Sequence, residues 1–186
     1  MKKSLIASLF GAGLIVSAVA PVSAYAVDGI INFSGSISDT MCDINGQAPG
    51  EGNVTNVDLG NIDPDTFKAV GNESSFKDFS LVLSGAGCTT GKKVNVAFDT
   101  ETNIDKATGN LKLVGPSEAQ GVQIQIYNNA GSNSKIVLGA PETSPQQATI
   151  AANAATLKYR ASYVSTAATV TPGTGLSHIR YVLAYE

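Results

Sequence analysis

The sequence predicts an all-β sandwich, and three observations carry that prediction. Apolar residues recur at every second position rather than at helical spacing, polar clusters rich in Gly, Asn, Ser and Thr separate the alternating runs, and no segment shows a long amphipathic stripe. About eight or nine short strands of this kind pack as two sheets around one core. At 186 residues the chain has the length of one domain or two small ones, and it shows neither an internal repeat nor a linker.

Residues 1–26 read as a signal peptide. Lys2 and Lys3 form a positive start, Leu5 to Val19 an apolar stretch, and Ala24-Tyr25-Ala26 a small-residue cleavage site. A cut after Ala24 also satisfies the small-residue rule; the cut after Ala26 leaves 27–186 as the mature domain. Ser8, Ser17 and Pro21 interrupt the apolar stretch, which disfavours a retained membrane anchor. Export places the two cysteines, Cys42 and Cys88, in an oxidising compartment, where one disulfide is expected. Their separation of 46 positions is worth roughly 4 kcal/mol of loop entropy removed from the unfolded chain. A redox pair would sit as C-x-x-C, and a zinc site would need further ligands.

The first alternating run is Ile31, Phe33 and Ile37. Phe79, Leu81 and Leu83 give a second, Val94, Val96 and Phe98 a third, and Val122, Ile124 and Ile126 a fourth, each with the signature of a half-buried strand. Leu157, Tyr159, Ala161 and Tyr163 form another, and Ile179, Tyr181, Leu183 and Tyr185 follow near the C-terminus. Shorter runs at Val54 to Leu59, Leu111 to Val114 and Ile136 to Leu138 are candidate additional strands. The Ala-rich stretch from Ala148 to Thr156 is a candidate helical turn. Turns are expected at Asn45 to Asn53, Gly71 to Ser75, Gly85 to Gly91, Asn128 to Ser134 and Thr171 to Gly175.

Composition excludes several functions. The chain carries 12 Lys and Arg against 15 Asp and Glu. Loss of Lys2 and Lys3 with the signal leaves 10 basic groups and a net charge of -5, opposite in sign to what phosphate neutralisation needs. His178 is the single histidine, so one chain cannot build a multi-histidine metal centre. It falls inside the last predicted strand, opposite Ile179, Tyr181 and Leu183, and reads as a surface residue rather than a catalytic base. The 85–93 segment resembles a phosphate loop, but Ala86 and Lys93 stand where that loop needs Gly and Ser or Thr. Asp99, Glu101, Asn103 and Asp105 alternate like calcium ligands, yet Ile104 replaces the turn glycine and Asn110 the closing carboxylate, so an acidic surface hairpin is expected. No catalytic residue, metal or cofactor is assigned.

The mature N-terminus carries Val27, Gly29, Ile31, Phe33, Gly35 and Ile37 on one side of an extended chain, with Asp28, Asn32, Ser34, Ser36 and Ser38 on the other beside the apolar Ile30. It has no adjacent hairpin partner. On pattern alone, pairing within its own domain is the simpler reading, and an arm that pairs elsewhere is the other.

Several positions taken in order resemble the major shaft subunits of chaperone-usher fimbriae, the type 1-like pilins. They are the signal peptide, the Gly-x-Ile-x-Phe-x-Gly-x-Ile stretch from Gly29 to Ile37, Cys42 soon after it, and Cys88 opening Cys-Thr-Thr-Gly-Lys-Lys-Val-Asn-Val-Ala-Phe. Gly173, fourteenth from the C-terminus, and the penultimate Tyr185 complete the set. The resemblance implies an incomplete immunoglobulin-like sandwich whose missing strand is supplied by a periplasmic chaperone and then by the next subunit. Residues 27–37 would be the N-terminal arm leading into the first strand, with Val27, Gly29, Ile31 and Phe33 as the donor strand. Gly173, Ile179, Tyr181, Leu183 and Tyr185 would form the acceptor and chaperone-binding edge. Implied partners are the chaperone, an outer-membrane usher and identical or related pilin subunits, on a route through the periplasm to a fimbria on the bacterial surface. A tip adhesin or minor adaptor binding host carbohydrate is the alternative, although an adhesin would need a further binding domain and no donor arm.

Overall fold

The protein, a computed structural model, is described at Ile37 and over residues 39–186. The signal segment and the arm residues Val27, Gly29, Ile31 and Phe33 lie outside the described residues, as does the strand expected from Ile31 onward except for an exposed Ile37. Nine strands follow: β1 (Asp43–Ile44), β2 (Lys77–Ser84), β3 (Lys93–Phe98), β4 (Ile104–Asp105), β5 (Asn110–Leu111), β6 (Val122–Asn128), β7 (Gln147–Thr149), β8 (Ala155–Ser165) and β9 (Tyr181–Tyr185). They form a six-stranded sheet in the order β1-β2-β8-β6-β5-β4 and a three-stranded sheet in the order β7-β3-β9. Every ladder is antiparallel.

The long strands fall where apolar alternation puts them, because alternate side chains share one face and that face is the interior. In the β2–β8 ladder Phe79 lies opposite Tyr159 and Leu81 opposite Leu157, so inward residues meet across the strands. Tyr159 is the centre of the core: its ring stacks on Phe79 at 5.5 Å and meets Phe98, from the other sheet, edge-on at 5.7 Å. The Cys42–Cys88 disulfide forms, both cysteines fully buried, and joins the chain just before β1 to the β2–β3 connection.

Several expectations need correction. Ile136 and Leu138 are buried but form no strand; Ile136 donates its N–H to the Ile126 carbonyl and Leu138 to that of Gly109, so the run lines the core as a loop. Of Leu111 to Val114 only Leu111 joins a strand. Val54 to Leu59 is not a strand either, although its side chains alternate between exposed and buried. The Ala148–Thr156 stretch holds no helical turn: Ala152 and Asn153 both have positive φ (49° and 59°), and the reciprocal Ala151–Ala154 bonds close a tight turn that carries the chain from β7 in one sheet to β8 in the other. The one helical turn among the described residues is a 3-10 turn at Pro64–Thr66, capped by the Asp63 carboxylate.

The strand signal at 122–128 suggests one wet face, yet all seven residues of β6 are buried. The polar face is roofed and its groups are paired: Gln123 binds Asp105, Thr108 and Asn110, and Gln125 donates to the Tyr127 hydroxyl, which reaches Glu73. His178 precedes β9 instead of lying within it, exposed beside the Asn103 amide, because the ladder to β3 begins only at Tyr181. The acidic hairpin is β4–β5, and Asp99 lies before it, accepting from the Glu101 N–H and the Thr102 hydroxyl.

Candidate functional site: the unpaired edge of the C-terminal strand

Among the described residues β9 is paired on one side only. Its register against β3 sets Tyr181 opposite Phe98, Leu183 opposite Val96 and Tyr185 opposite Val94. Lys93 and Glu186 exchange both backbone bonds at 2.9 Å, and the Asp99 N–H donates to Arg180 at 2.9 Å. Antiparallel ladders alternate strictly between bonded and non-bonded pairs. Arg180, Val182, Ala184 and Glu186 therefore aim their backbone groups at β3, and Tyr181, Leu183 and Tyr185 aim theirs away from it. No strand lies on that side among the described residues.

The side chains obey the same alternation. Val182 and Ala184 are exposed, whereas Tyr181, Leu183 and Tyr185 turn inward and pack on the core, each only half-buried. Ile179, just ahead of the strand, does likewise. The interior beneath this edge is incompletely covered.

A second unpaired backbone adjoins the same part of the core. Residues 54–59 run extended, with Thr55 and Val57 half-buried and Leu59 buried, and among the described residues they make no backbone–backbone hydrogen bond. The N-terminal end is held by side chains. The Asn45 amide donates to the Thr55 hydroxyl at 3.0 Å while its oxygen accepts the Val82 N–H at 2.9 Å. Asn53 donates to the Ile44 carbonyl at 2.9 Å. Burial raises the Tyr181 phenol above its ordinary range, and the neighbouring Thr55 hydroxyl works against that rise. The Tyr163 phenol is likewise raised by burial and, secondarily, by the Asp58 carboxylate. Thr55 thus lies near Tyr181 of β9, and Asp58 near Tyr163 of β8. The period-two signal in 54–59 was legible, but it marks a strand-like wall without a strand partner.

Gly173 is not on this edge. It sits exposed, eight positions before Tyr181, where a Cβ would lie 2.4 Å from the Ala119 nitrogen and 2.5 Å from the Ser117 oxygen. Thr174 donates to the Ser117 carbonyl at 2.8 Å and accepts from the Ala119 N–H at 2.9 Å. The glycine thus permits a close backbone seat for the segment leading into β9. One step on, the Tyr163 hydroxyl donates to the Gly175 carbonyl at 2.8 Å. Tyr185 makes a contact that sequence reasoning missed: its hydroxyl accepts the backbone N–H of Cys42 at 3.2 Å.

Two antiparallel sheets around one disulfide-linked core, with one sheet edge left bare over a half-covered interior, define an immunoglobulin-like sandwich of the pilin type. The solved P pilus rod subunit PapA has this fold: it superposes with a TM-score of 0.50 at 20% identity, over 84% of this chain and 100% of that one. Comparison with known sequences is more specific. The chain belongs to the fimbrial protein family, whose profile, described as Fimbrial protein, matches residues 31–186. It is 36% identical to long polar fimbria protein A of Salmonella typhimurium over 172 residues, 91% of this chain and 92% of that protein. It is 33% identical to the probable major fimbrial subunit LpfA of Escherichia coli O157:H7, over 86% of this chain and 84% of that one. The protein is a structural, non-enzymatic subunit of a cell-surface fimbria and polymerises with other pilins.

Proposed function

We propose that the bare edge of β9 and the facing segment 54–59 form a slot that accepts a β-strand from another molecule, and that Val27, Gly29, Ile31 and Phe33 are the strand this chain donates in turn. The observation that carries the reading is the pairing of unbonded backbone with half-buried side chains at Tyr181, Leu183 and Tyr185. A strand laid there answers both deficits at once: it bonds the free N–H and C=O groups and covers the core. Chaperone–pilin complementation is itself the known instance of such strand addition. The four donor residues share one parity and so face one side of an extended arm, and Gly29, lacking a Cβ, allows close backbone approach.

An inserted Ile or Phe contributes roughly 1.5–3 kcal/mol when fully buried, so a few anchors with a backbone ladder make a junction that dissociates slowly without any nucleotide. A bare edge is an aggregation hazard during export, which calls for a periplasmic chaperone to occupy the slot first and an outer-membrane usher to hand the subunit on. The donor–acceptor contact joins unlike surfaces and does not close on itself, giving an open helical filament.

The test is co-expression with a cognate fimbrial chaperone, comparing the full chain with a deletion of residues 27–33. The full chain gives detergent-resistant ladders on unheated gels; the deletion remains as chaperone-bound monomers. Ladders that persist after the deletion would rule out the arm as the linker.

A further inference from the structure

We propose that the Tyr185 hydroxyl positions the root of the N-terminal arm, so that the residue whose backbone faces the acceptor slot also holds the point from which this chain's own donor strand departs. The inference rests on the strand-exchange reading above and deepens it.

The chain leaving the fold toward the arm is held at three points. The Met41 N–H donates to the Gly87 carbonyl at 2.8 Å, the disulfide joins Cys42 to Cys88, and the Cys42 N–H donates to the Tyr185 hydroxyl at 3.2 Å. The first two anchors come from the β2–β3 connection, where Gly87 permits the contact because a Cβ there would lie 2.4 Å from the Met41 oxygen. The third comes from β9. Cys42 is fully buried, so its N–H has no access to water and depends on that hydroxyl. Beyond these anchors Thr40 is still buried, and the chain is fully exposed by Ile37. The ring of Tyr185 packs on the core, a task phenylalanine would do equally well; the hydroxyl is what reaches the root. Because the Tyr185 backbone points into the slot by ladder alternation, a strand arriving at β9 acts on the same residue that anchors Cys42 at the root of the arm.

The experiment compares wild type, Tyr185→Phe and, as control, Tyr181→Phe, each full chain purified with its fimbrial chaperone. Donation is read as the rate of joining to labelled acceptor complexes lacking residues 27–36, which receive but do not donate. Acceptance is read as the rate of uptake of a synthetic peptide of sequence 27–37. Tyr185→Phe is expected to donate about three- to tenfold more slowly, the range one neutral hydrogen bond spans, and to lose clearly more in donation than in peptide uptake. Its Cys42 amide exchanges with deuterium faster, the β2–β8 amides unchanged. Tyr181→Phe, whose hydroxyl neighbours Thr55 and not the root, donates normally. Equal slowing of donation and acceptance, or a Cys42 amide as protected as before, would overturn the proposal. Should Tyr185→Phe yield no complex, the wild-type Cys42 amide decides: ladder-like protection supports the bond, and loop-like exchange overturns it. Wild type that donates nothing refutes the arm reading instead, and this inference with it.

Discussion

β8 and β9 carry nearly the same inward pattern, Leu157-x-Tyr159-x-Ala161-x-Tyr163 against Ile179-x-Tyr181-x-Leu183-x-Tyr185, and meet opposite fates. β8 lies between β2 and β6 and pairs on both sides, and its Leu157, Tyr159 and Ala161 are at most 4% exposed. Among the described residues β9 pairs with β3 alone, and Tyr181, Leu183 and Tyr185 remain half-buried. Alternation fixes which face of a strand is apolar; it does not say whether the chain itself supplies the cover. In a fimbrial subunit the difference between the two strands is the difference between a finished and an unfinished part of one core.

The largest effect that tests this contrast is expected at Leu157. Leu157→Ala leaves a sealed cavity and should cost about 2–5 kcal/mol, read by denaturant unfolding, whether the slot is empty or filled. Leu183→Ala should behave differently: about 1 kcal/mol while its side chain is half in water, rising toward the Leu157 value once a strand covers it. Equal costs in both states would erase the distinction between the strands. Next comes the disulfide. Cys42→Ser with Cys88→Ser should lower stability by roughly 4 kcal/mol on chain-entropy grounds, seen as a lower unfolding midpoint.

Gly173→Ala tests whether β9 depends on its approach. The added methyl must displace the Ser117–Ala119 backbone, at about 1–3 kcal/mol, and chaperone capture should fall with it. Asn45→Ala, which frees Thr55 and leaves the Val82 N–H without its acceptor, should cost about 1 kcal/mol and slow peptide uptake more than it lowers the unfolding midpoint. The smallest effect concerns pH. Bonding from Gln123, then from the Ala107 N–H, holds the Asp105 carboxyl below its ordinary 3.8. A carboxyl lowered on folding contributes stability above its unfolded pKa and loses it as pH falls through the lower folded value. Asp105→Asn should therefore flatten the acid limb of stability, between about pH 4 and lower values, without changing strand uptake at neutral pH.

Much of the closed part was legible in the sequence. β2, β3, β6 and β8 were readable because each sets three or four apolar residues in strict alternation, and Cys42–Cys88 because export leaves a lone pair one sensible fate. Gln123, Gln125 and Tyr127 look like a solvated face; only tertiary roofing by Asp105, Asn110 and Glu73 reveals them as buried. Ala152 and Asn153 hide a tight turn, since alanine at positive φ has no sequence signal. At the open edge the alternation of Ile179, Tyr181, Leu183 and Tyr185 was readable from period. That 54–59 runs extended without a strand partner among the described residues was not, because period alone cannot show that a strand-like segment lacks one. Nor could the sequence reveal a contact spanning 143 positions between Tyr185 and Cys42.

The disulfide also decides where tension runs. A pull entering at Ile37 reaches a covalent bridge at Cys42 and crosses to Cys88, a few residues before β3 begins. From β3 it passes through the ladder directly into β9. In a fibre of strand-exchanged subunits the bridge would thus give load a covalent route into the three-stranded sheet, beside the route through β1, which follows Cys42 directly and belongs to the larger sheet.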